Sequence, residues 1–276
     1  MTDTPPVEPL DHPDAADLLR LSQAIGWAHS SDDWHTILEV GRVFGHRADG
    51  GFASSGALFD FGATFASIGM ILVAPAYRGQ GLARAIIRHC LAAAGSRAVT
   101  LIATPQGEPL YRSLGFVEVE RVSRVFTARR PGVQSLPTIT TRALADVVRF
   151  DQETFGADRS ALLHAFFARA SASAIVSDAH GVIRGFGMAV RQGGRLVIGP
   201  VAAREPDGAI ALFRSLAVDD ADEIRIDVPT RQTLVLEALT ARGGRRVDDA
   251  PVMLYGAAAM PGRRDEIYAL ASRGLG

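Results

Sequence analysis

The sequence predicts a mixed α/β (α+β) fold made of two tandem copies of one arrangement of helices and strands. Helical spacing of apolar residues alternates along the chain with short strand-like runs. The order "VTLIATP", helix, "LGF" is repeated as "IRIDVP", helix, "ARGG", which indicates an internal duplication. Between the copies lies "RRPGVQSLPT", residues 129–138, whose composition suits a linker. We therefore expect domains at 1–130 and 138–276, each of ordinary size.

Two helices are predicted to begin the first half. Segment 14–27 has helical spacing, and segment 30–41 begins with capping residues and ends on Gly41, a candidate C′ glycine. These helices are followed by two strands, which a Gly-rich turn joins. A helix, a strand ended by Pro105, a short helix and a final strand come next. Their predicted ranges are 56–62, 65–73, 82–94, 98–105, 107–115 and 116–128.

The second half is predicted to repeat this order. Two helices at 141–156 and 158–170 precede strands within 173–190 and 194–203, a helix at 207–218, a strand at 223–229, a helix at 232–244 and a strand at 251–258. We expect helices on both faces of a largely antiparallel sheet, with parallel pairing beside each crossover helix.

Bulk composition narrows the functional classes. The chain has 276 residues, 47% hydrophobic and 21% charged, and a formal net charge of −1. These values predict a globular protein with no nucleic-acid or membrane partner, and no apolar run approaches the ~20 residues of a membrane span. The N-terminal stretch lacks a secretory pattern, and the single cysteine, Cys90, fits a reducing, cytoplasmic setting. The seven histidines lack metal-ligand spacing, so no metal is expected.

The stretch "MILVAPAYRGQGLARAIIRH", residues 70–89, passes from an apolar strand into a helix through Arg78-Gly79-Gln80-Gly81. Free N–H groups and the dipole at a helix start favour an anion. Glycines let the backbone approach a phosphate closely, and Arg78 and Arg84 can add charge-assisted bonds. The chain has no lysine, which excludes the G-x-x-x-x-G-K-[ST] loop. A plain turn with a solvent-facing arginine is the alternative.

With its downstream context, the chain resembles the GNAT superfamily of acyl-CoA-dependent N-acetyltransferases. Residues 78–83, "RGQGLA", preceded by Val73 and Pro75, are similar to the family's [QR]-x-x-G-x-[GA] pyrophosphate loop. Residues 109–116, "PLYRSLGF", look like its "lYekLGF" segment. The resemblance covers residues ~15–128, and the second half is more weakly similar to the C-terminal GNAT-fold domain of certain two-domain acetyltransferases.

The resemblance implies acetyl-CoA as cosubstrate and assigns a set of site residues. Strand backbone at 71–73 would meet the pantetheine arm and the acetyl carbonyl, and the amides of 79–84 would wrap the pyrophosphate. Tyr111 would act as general acid near the sulfur, and Thr104 stands where some members have Asn. The implied cofactor-binding residues are Ile71, Leu72, Val73, Arg78, Gly79, Gln80, Gly81, Leu82, Ala83, Arg84 and Thr104.

Acetyl transfer to an amine needs a stabilised oxyanion and a proton for the departing thiolate. A strand N–H at 71–73 can serve the first need, and Tyr111 the second, because a phenol of pKa ~10 stays protonated. The identity of the general base is left open. Asp60 and His35 are candidates, although each also suits a surface or capping role. A water chain is an alternative. Asp32 and Asp33 are expected to cap the second helix.

The second copy is predicted to be degenerate. Its turn "AAREPDGAIAL" carries Glu205 and Asp207, which repel a pyrophosphate, and segment 232–244 has no tyrosine. The expected function is an acetyl-CoA-dependent N-acetyltransferase acting on a primary amine of a small molecule or peptide. Alternatives are a noncatalytic acyl-CoA-binding or regulatory module and a tandem enzyme with two working sites. The oligomeric state is open, with a homodimer as one alternative.

Overall fold

A single mixed sheet of twelve strands runs through the part of the chain that the computed structural model describes, residues 5–128, 135–217 and 223–275. The strands of the first half are β1 (Glu8–Leu10), β2 (Arg42–Ala48), β3 (Gly51–Phe61), β4 (Phe65–Val73), β5 (Ala98–Ile102) and β6 (Val117–Thr127). Its helices are α1 (Ala15–Ala24), α2 (Ser31–Val40), α3 (Leu82–Ala94) and α4 (Glu108–Ser113).

The second half repeats the arrangement. Its helices are α5 (Thr141–Phe155), α6 (Ser160–Arg169), α7 (Pro206–Leu216) and α8 (Thr233–Ala241). Its strands are β7 (Ala170–Ser177), β8 (Ile183–Gln192), β9 (Arg195–Ala203), β10 (Ile224–Pro229), β11 (Arg245–Tyr255) and β12 (Ile267–Ala269).

The predicted helices and strands are confirmed, and three strands are additional: β1, β2 and β12. The expected C′ role of Gly41 is wrong, because its φ of −131° is extended. A side chain is excluded there for another reason, since a Cβ would lie 2.6 Å from the Phe59 ring. Of the predicted linker, residues 129–134 lie outside the described residues.

Strand β6 of the first half and strand β11 of the second half each cross into the other half. The sheet order is β1-β2-β3-β4-β5-β11-β6-β10-β9-β8-β7, with β12 paired to β9. Strand β11 therefore lies against β5 of the first half, and β6 lies against β10 of the second, all antiparallel. The two halves share one sheet through this strand exchange.

Helices cover both faces of the sheet. On one face, α1, α2, α5 and α6 pack into a core common to the two halves, with members such as Leu18, Trp34, Phe150 and Phe166. On the other face each half has its own core: α3 and α4 cover the first, and α7 and α8 the second. Because the shared core needs helices from both halves, burial ties the halves together.

Each half contains one pair of parallel strands that separates partway along its length, which we call a splay. Strands β4 and β5 pair only through residues 65–67 and 98–100. Strands β9 and β10 pair through residues 196–198 and 224–226. In the second splay, β12 pairs with β9 at Ala202 and Val201, and the Leu270 N–H donates to the Asp227 carbonyl at 2.9 Å.

Candidate active site

A cleft of about 620 Å³ opens in the first splay. Its walls are the separating end of β4, the loop and first turn of α3, the end of β5, and α4. Residues of the α1–α2 connection, Ile25 and Trp27, close one side. The other lining residues are Ile71, Val73, Tyr77, Arg78, Gly79, Gly81, Leu82, Ala83, Arg84, Thr104, Gln106, Gly107, Leu110 and Tyr111.

The loop that enters α3 depends on two glycines in left-handed backbone. Gly79 has a φ of +77° and Gly81 a φ of +80°, a region that side chains disfavour. A Cβ at either position would meet no atom within 4 Å, so open space lies beside the backbone. The first hydrogen bond of α3 runs from the Ala85 N–H to the Gly81 carbonyl at 3.0 Å. The N–H groups of residues 82–84 are therefore without an intrahelical acceptor and can bind an anion.

The backbone of β4 supplies a second polar surface. The Ala74 N–H donates to the Ala53 carbonyl at 2.8 Å, across the pair with β3. Because successive residues of a strand direct their N–H groups to opposite edges, the Val73 N–H faces the splay. The Ile71 and Val73 side chains line the cleft, whereas Leu72 is 1% exposed in the shared core. Leu72 can therefore contribute its backbone alone.

Tyr111 projects from α4 into the cleft. Its ring is 7% exposed and meets Phe116 edge-on, with centroids 6.0 Å apart. A Cβ at Gly107 would lie 2.8 Å from the Tyr111 ring, so this glycine makes room for it. Burial raises the pKa of Tyr111 to about 12, which keeps the phenol protonated at neutral pH. A proton donor thus stands at the cleft.

Most residues expected at the site lie together there, with Gln80 and Leu72 as the two that do not line the cleft. Thr104 organises the start of α4: its hydroxyl accepts from the Gly107 N–H at 3.2 Å, and its carbonyl accepts from the Glu108 N–H at 3.0 Å. Arg84 donates to the Ser113 hydroxyl at 3.0 Å and so links α3 to α4.

No sequence motif indicated Tyr77 or Gln106 as site residues. Tyr77 directly precedes the loop, in "APAYRG", so its place beside the loop could have been predicted.

Both halves of the chain are similar to known proteins. Residues 37–118 and 147–269 each match a family described as an acetyltransferase (GNAT) domain. The chain is also 30% identical over 267 residues, 94% of both chains, to the uncharacterized N-acetyltransferase YitH of Bacillus subtilis. The chain belongs to the GNAT family. It is a tandem GNAT N-acetyltransferase.

Other relatives agree with this assignment of the acetyltransferase. A holothin acyltransferase of a Pseudoalteromonas species is 27% identical over 256 residues, covering 89% of this chain and 85% of the relative. Two solved structures share the fold. A putative acetyltransferase from Pyrococcus horikoshii has a TM-score of 0.80 at 20% identity, covering 98% and 95% of the two chains. A tandem GNAT protein from the clavulanic acid biosynthesis pathway has a TM-score of 0.67 at 16% identity, covering 92% and 99%.

The suggested general bases of the acetyltransferase have other partners. Asp60 is paired with Arg42 at 2.9 Å and Arg97 at 2.5 Å. The His35 ring contacts the Ser31 carbonyl of its own helix at 2.8 Å. Asp33 caps α2 as expected, with the Ser30 N–H donating to it at 2.8 Å. None of Asp60, His35 and Asp33 lines the cleft.

The second splay of the acetyltransferase differs from the first. Strand β12 lies along β9 there, at the place that corresponds to the open edge of β4. Helix α7 begins at Glu205 and Pro206 and has no left-handed glycine at its start. Arg204, just before it, is ion-paired with Glu153 at 2.8 Å and Glu266 at 2.5 Å.

No group of three histidine, cysteine or acidic side chains in ranges 5–128, 135–217 and 223–275 could hold a metal ion. Over the same residues, no helix combines the length and apolar character that crossing a membrane requires.

Proposed function

We propose that the protein transfers an acetyl group from acetyl-CoA to a primary amine of a small molecule or peptide, and that the first half carries the site. The observation that supports this most is the single cleft that combines free α3 amides, an open strand edge and the protonated phenol of Tyr111. We also propose a cytoplasmic location, which the buried free thiol of Cys90 supports.

The diphosphate of acetyl-CoA is assigned to the start of α3. The N–H groups of residues 79–84 would hold it, helped by the helix dipole and by the guanidinium groups of Arg78 and Arg84. The pantetheine arm would follow the edge of β4 at Ile71 and Val73. Such binding fixes the thioester in the splay, and fixing both reactants supplies much of the rate enhancement.

In the proposed reaction, the neutral amine attacks the thioester carbonyl carbon and forms the new C–N bond. The Val73 N–H donates to the oxyanion of the tetrahedral intermediate. When the C–S bond breaks, the sulfur takes the electron pair and Tyr111 gives it a proton. The proton that leaves the nitrogen goes to water, because neither of the suggested bases, Asp60 and His35, lines the cleft.

Thiol release from acetyl-CoA, followed with a thiol reagent across a panel of amines, tests the proposal. We expect at least one amine to raise the rate above hydrolysis, and CoA to bind in calorimetry. Binding of CoA without thiol release for any amine would favour the noncatalytic acyl-CoA-binding module instead. Absence of CoA binding would overturn both readings.

A further inference from the structure

A second cavity, of about 360 Å³, adjoins the cofactor cleft. Trp27 and Thr104 line both cavities and so form the boundary between them. The second cavity lies between the two halves, walled by the α1–α2 connection and the end of β5 on one side. Strands β10 and β11 and the segment 272–274 wall the other side. A molecule placed there lies next to the cleft at Thr104. We call this cavity the acceptor pocket.

Arginines of both halves surround one buried carboxylate at the acceptor pocket. Asp227, 1% exposed, faces Arg124 across the β6–β10 pair and receives its Nε at 2.9 Å and its Nη2 at 3.2 Å. Arg273 Nε lies 3.0 Å from Asp227 Oδ1, off the N–H axis, so this contact is an ion pair rather than a hydrogen bond. Arg225 Nε lies 3.6 Å from Asp227 Oδ2. Three guanidinium groups therefore share one buried negative charge.

The acidic side chains at the rim do not remove this excess. Asp248 is 54% exposed and pairs with Arg273 at 2.7 Å. Asp249 is engaged by Arg246 and accepts from the Ser123 hydroxyl at 2.7 Å. Neither carboxylate is ion-paired with Arg225, which lies deeper on β10. Three arginines that line the pocket therefore share two carboxylates, Asp227 and Asp248, which leaves an excess of positive charge at this wall.

Arg225 is the least satisfied of the three arginines. Its side chain is 16% exposed, one terminal nitrogen donates to the Gln192 side-chain oxygen, and its Nε is buried without a hydrogen-bond partner. Burial, with repulsion from Arg124 and Arg273, outweighs the attraction of Asp227 and Asp33 and lowers the pKa of Arg225 to about 10, so it remains charged at neutral pH. Protein groups satisfy this guanidinium only in part, and an anionic ligand that reaches its terminal nitrogens from the pocket adds charge-assisted hydrogen bonds.

We propose that the acceptor is an amino-carboxylate, whose carboxylate binds Arg225 and its arginine neighbours while its amine points past Thr104 to the thioester. This inference rests on the proposed acetyl transfer and narrows its substrate class. A planar carboxylate matches the two-donor geometry of a guanidinium. The charge arrangement selects for this group over an uncharged one of the same size.

The first test compares matched substrates on the wild-type protein. Glycine, β-alanine, 4-aminobutyrate and 5-aminopentanoate are each compared with the carboxamide of the same chain length, at fixed ionic strength and saturating acetyl-CoA. We expect kcat/KM to be about 10- to 100-fold higher for at least one acid than for its amide. Acids and amides that react equally well would overturn the inference and leave the proposed acetyl transfer standing.

The second test uses binding alone. Glutarate and glutaramide have no amine, so their calorimetric titration does not depend on turnover. We expect glutarate to bind and glutaramide to bind at least about 10-fold more weakly. Glutarate binding without thiol release for any amine would support the anion site while the proposed acetyl transfer fails. Equal affinities for the two probes would overturn the inference.

A matched pair of variants separates recognition from a structural role. In Arg225→Gln, we expect the acid-to-amide ratio of kcat/KM to fall towards one. Arg231→Gln is the control, because Arg231 is a half-buried, ion-paired arginine that lines neither cavity. A purely structural loss would lower both rates together and keep the ratio, which would contradict the proposal. If Arg225→Gln does not fold, the two wild-type tests still decide.

Discussion

Burial keeps the Tyr111 phenol in its protonated form. Because burial raises its pKa to about 12, the group keeps its proton well above neutral pH. Tyr111→Phe preserves the ring that packs on Phe116 and removes the proton, so kcat should fall about 100-fold while CoA affinity is unchanged. Steady-state kinetics and calorimetry measure the two quantities.

Tyr255 supplies the control for that prediction. Its ring also contacts Phe116, at 5.4 Å, but it lies outside the cleft, so Tyr255→Phe should keep kcat. The wild-type kcat should also not decline between pH 8 and 10, since the Tyr111 phenol ionises only near its raised pKa. If Tyr111→Phe kept the wild-type kcat, a group other than Tyr111 would have to donate the proton to the thiolate.

We expect His29 to make the free energy of unfolding depend on pH. Burial, which outweighs the attraction of Asp33, and repulsion from Arg225 lower its pKa from 6.5 to about 4. Between these values the unfolded chain binds a proton that the folded chain does not. The contribution of His29 to the free energy of unfolding is therefore fully present above pH 6.5. As the pH falls towards 4, the free energy of unfolding decreases by about 3 kcal/mol through this group.

Urea unfolding of the wild type and of His29→Gln at pH 7 and pH 4.5 measures this effect. We expect the variant to lose less stability on acidification than the wild type. The exposed His180 provides the control, and His180→Gln should behave as the wild type. Equal pH dependence in wild type and His29→Gln would contradict the assignment.

The sequence was informative about single residues where a local motif exists. Tyr111 and the loop glycines Gly79 and Gly81 are recognisable because a short segment carries their whole pattern. The arginines of the acceptor pocket are not, since Arg124 meets Asp227 across 103 residues through the exchanged strand. Pairing of that kind depends on the sheet order, which no local pattern records.

The two ends of α3 provide a matched test of the loop at the scale of one element. Gly81 begins the helix at a φ of +80°, and Gly95 ends it at +66°, each beside open space. Replacement by Ala should cost about 1 kcal/mol of stability at either position, because both demand backbone that side chains disfavour. Only Gly81→Ala should also weaken CoA binding, by at least about 10-fold. Calorimetry that finds equal affinities in the two variants would contradict the phosphate assignment.

Elements were predictable to the extent that their residues carry a periodic pattern. Helix α3 has the predicted bounds, 82–94, because its apolar spacing and flanking glycines mark both ends. Strand β12 has three residues and no pattern of its own, and it forms because β9 offers an unpaired edge after leaving β10. Such a strand follows from its tertiary neighbours rather than from local preference.

At the scale of the molecule, strand exchange predicts that the halves do not fold separately. Strand β6 has both of its partners, β10 and β11, in the second half. A chain of residues 1–128 should therefore lack native circular dichroism and dispersed NMR signals, whereas the full chain should unfold in one calorimetric transition. A folded, monomeric 1–128 fragment would contradict this. We propose that the expected domains, 1–130 and 138–276, are repeats of one sequence pattern rather than independent folding units.

The occupied second splay predicts the coenzyme stoichiometry. Because β12 pairs with β9 where the first half leaves its strand edge open, the described residues of the second half leave no comparable strand edge at this place for a pantetheine arm. Calorimetry should give one CoA per chain. Two equivalents would contradict the role assigned to β12 and indicate two working sites.

Exchange of β6 and β11 between the halves has an implication for how such a molecule could arise. Two separate copies of one half, each lending its last strand to the other, would form a symmetric pair with two identical grooves. Joining them end to end removes the requirement that both grooves stay the same. One groove can then lose its ligand and be filled by β12 of its own half, while the strand that this half donates, β11, continues to pair with β5 of the other half.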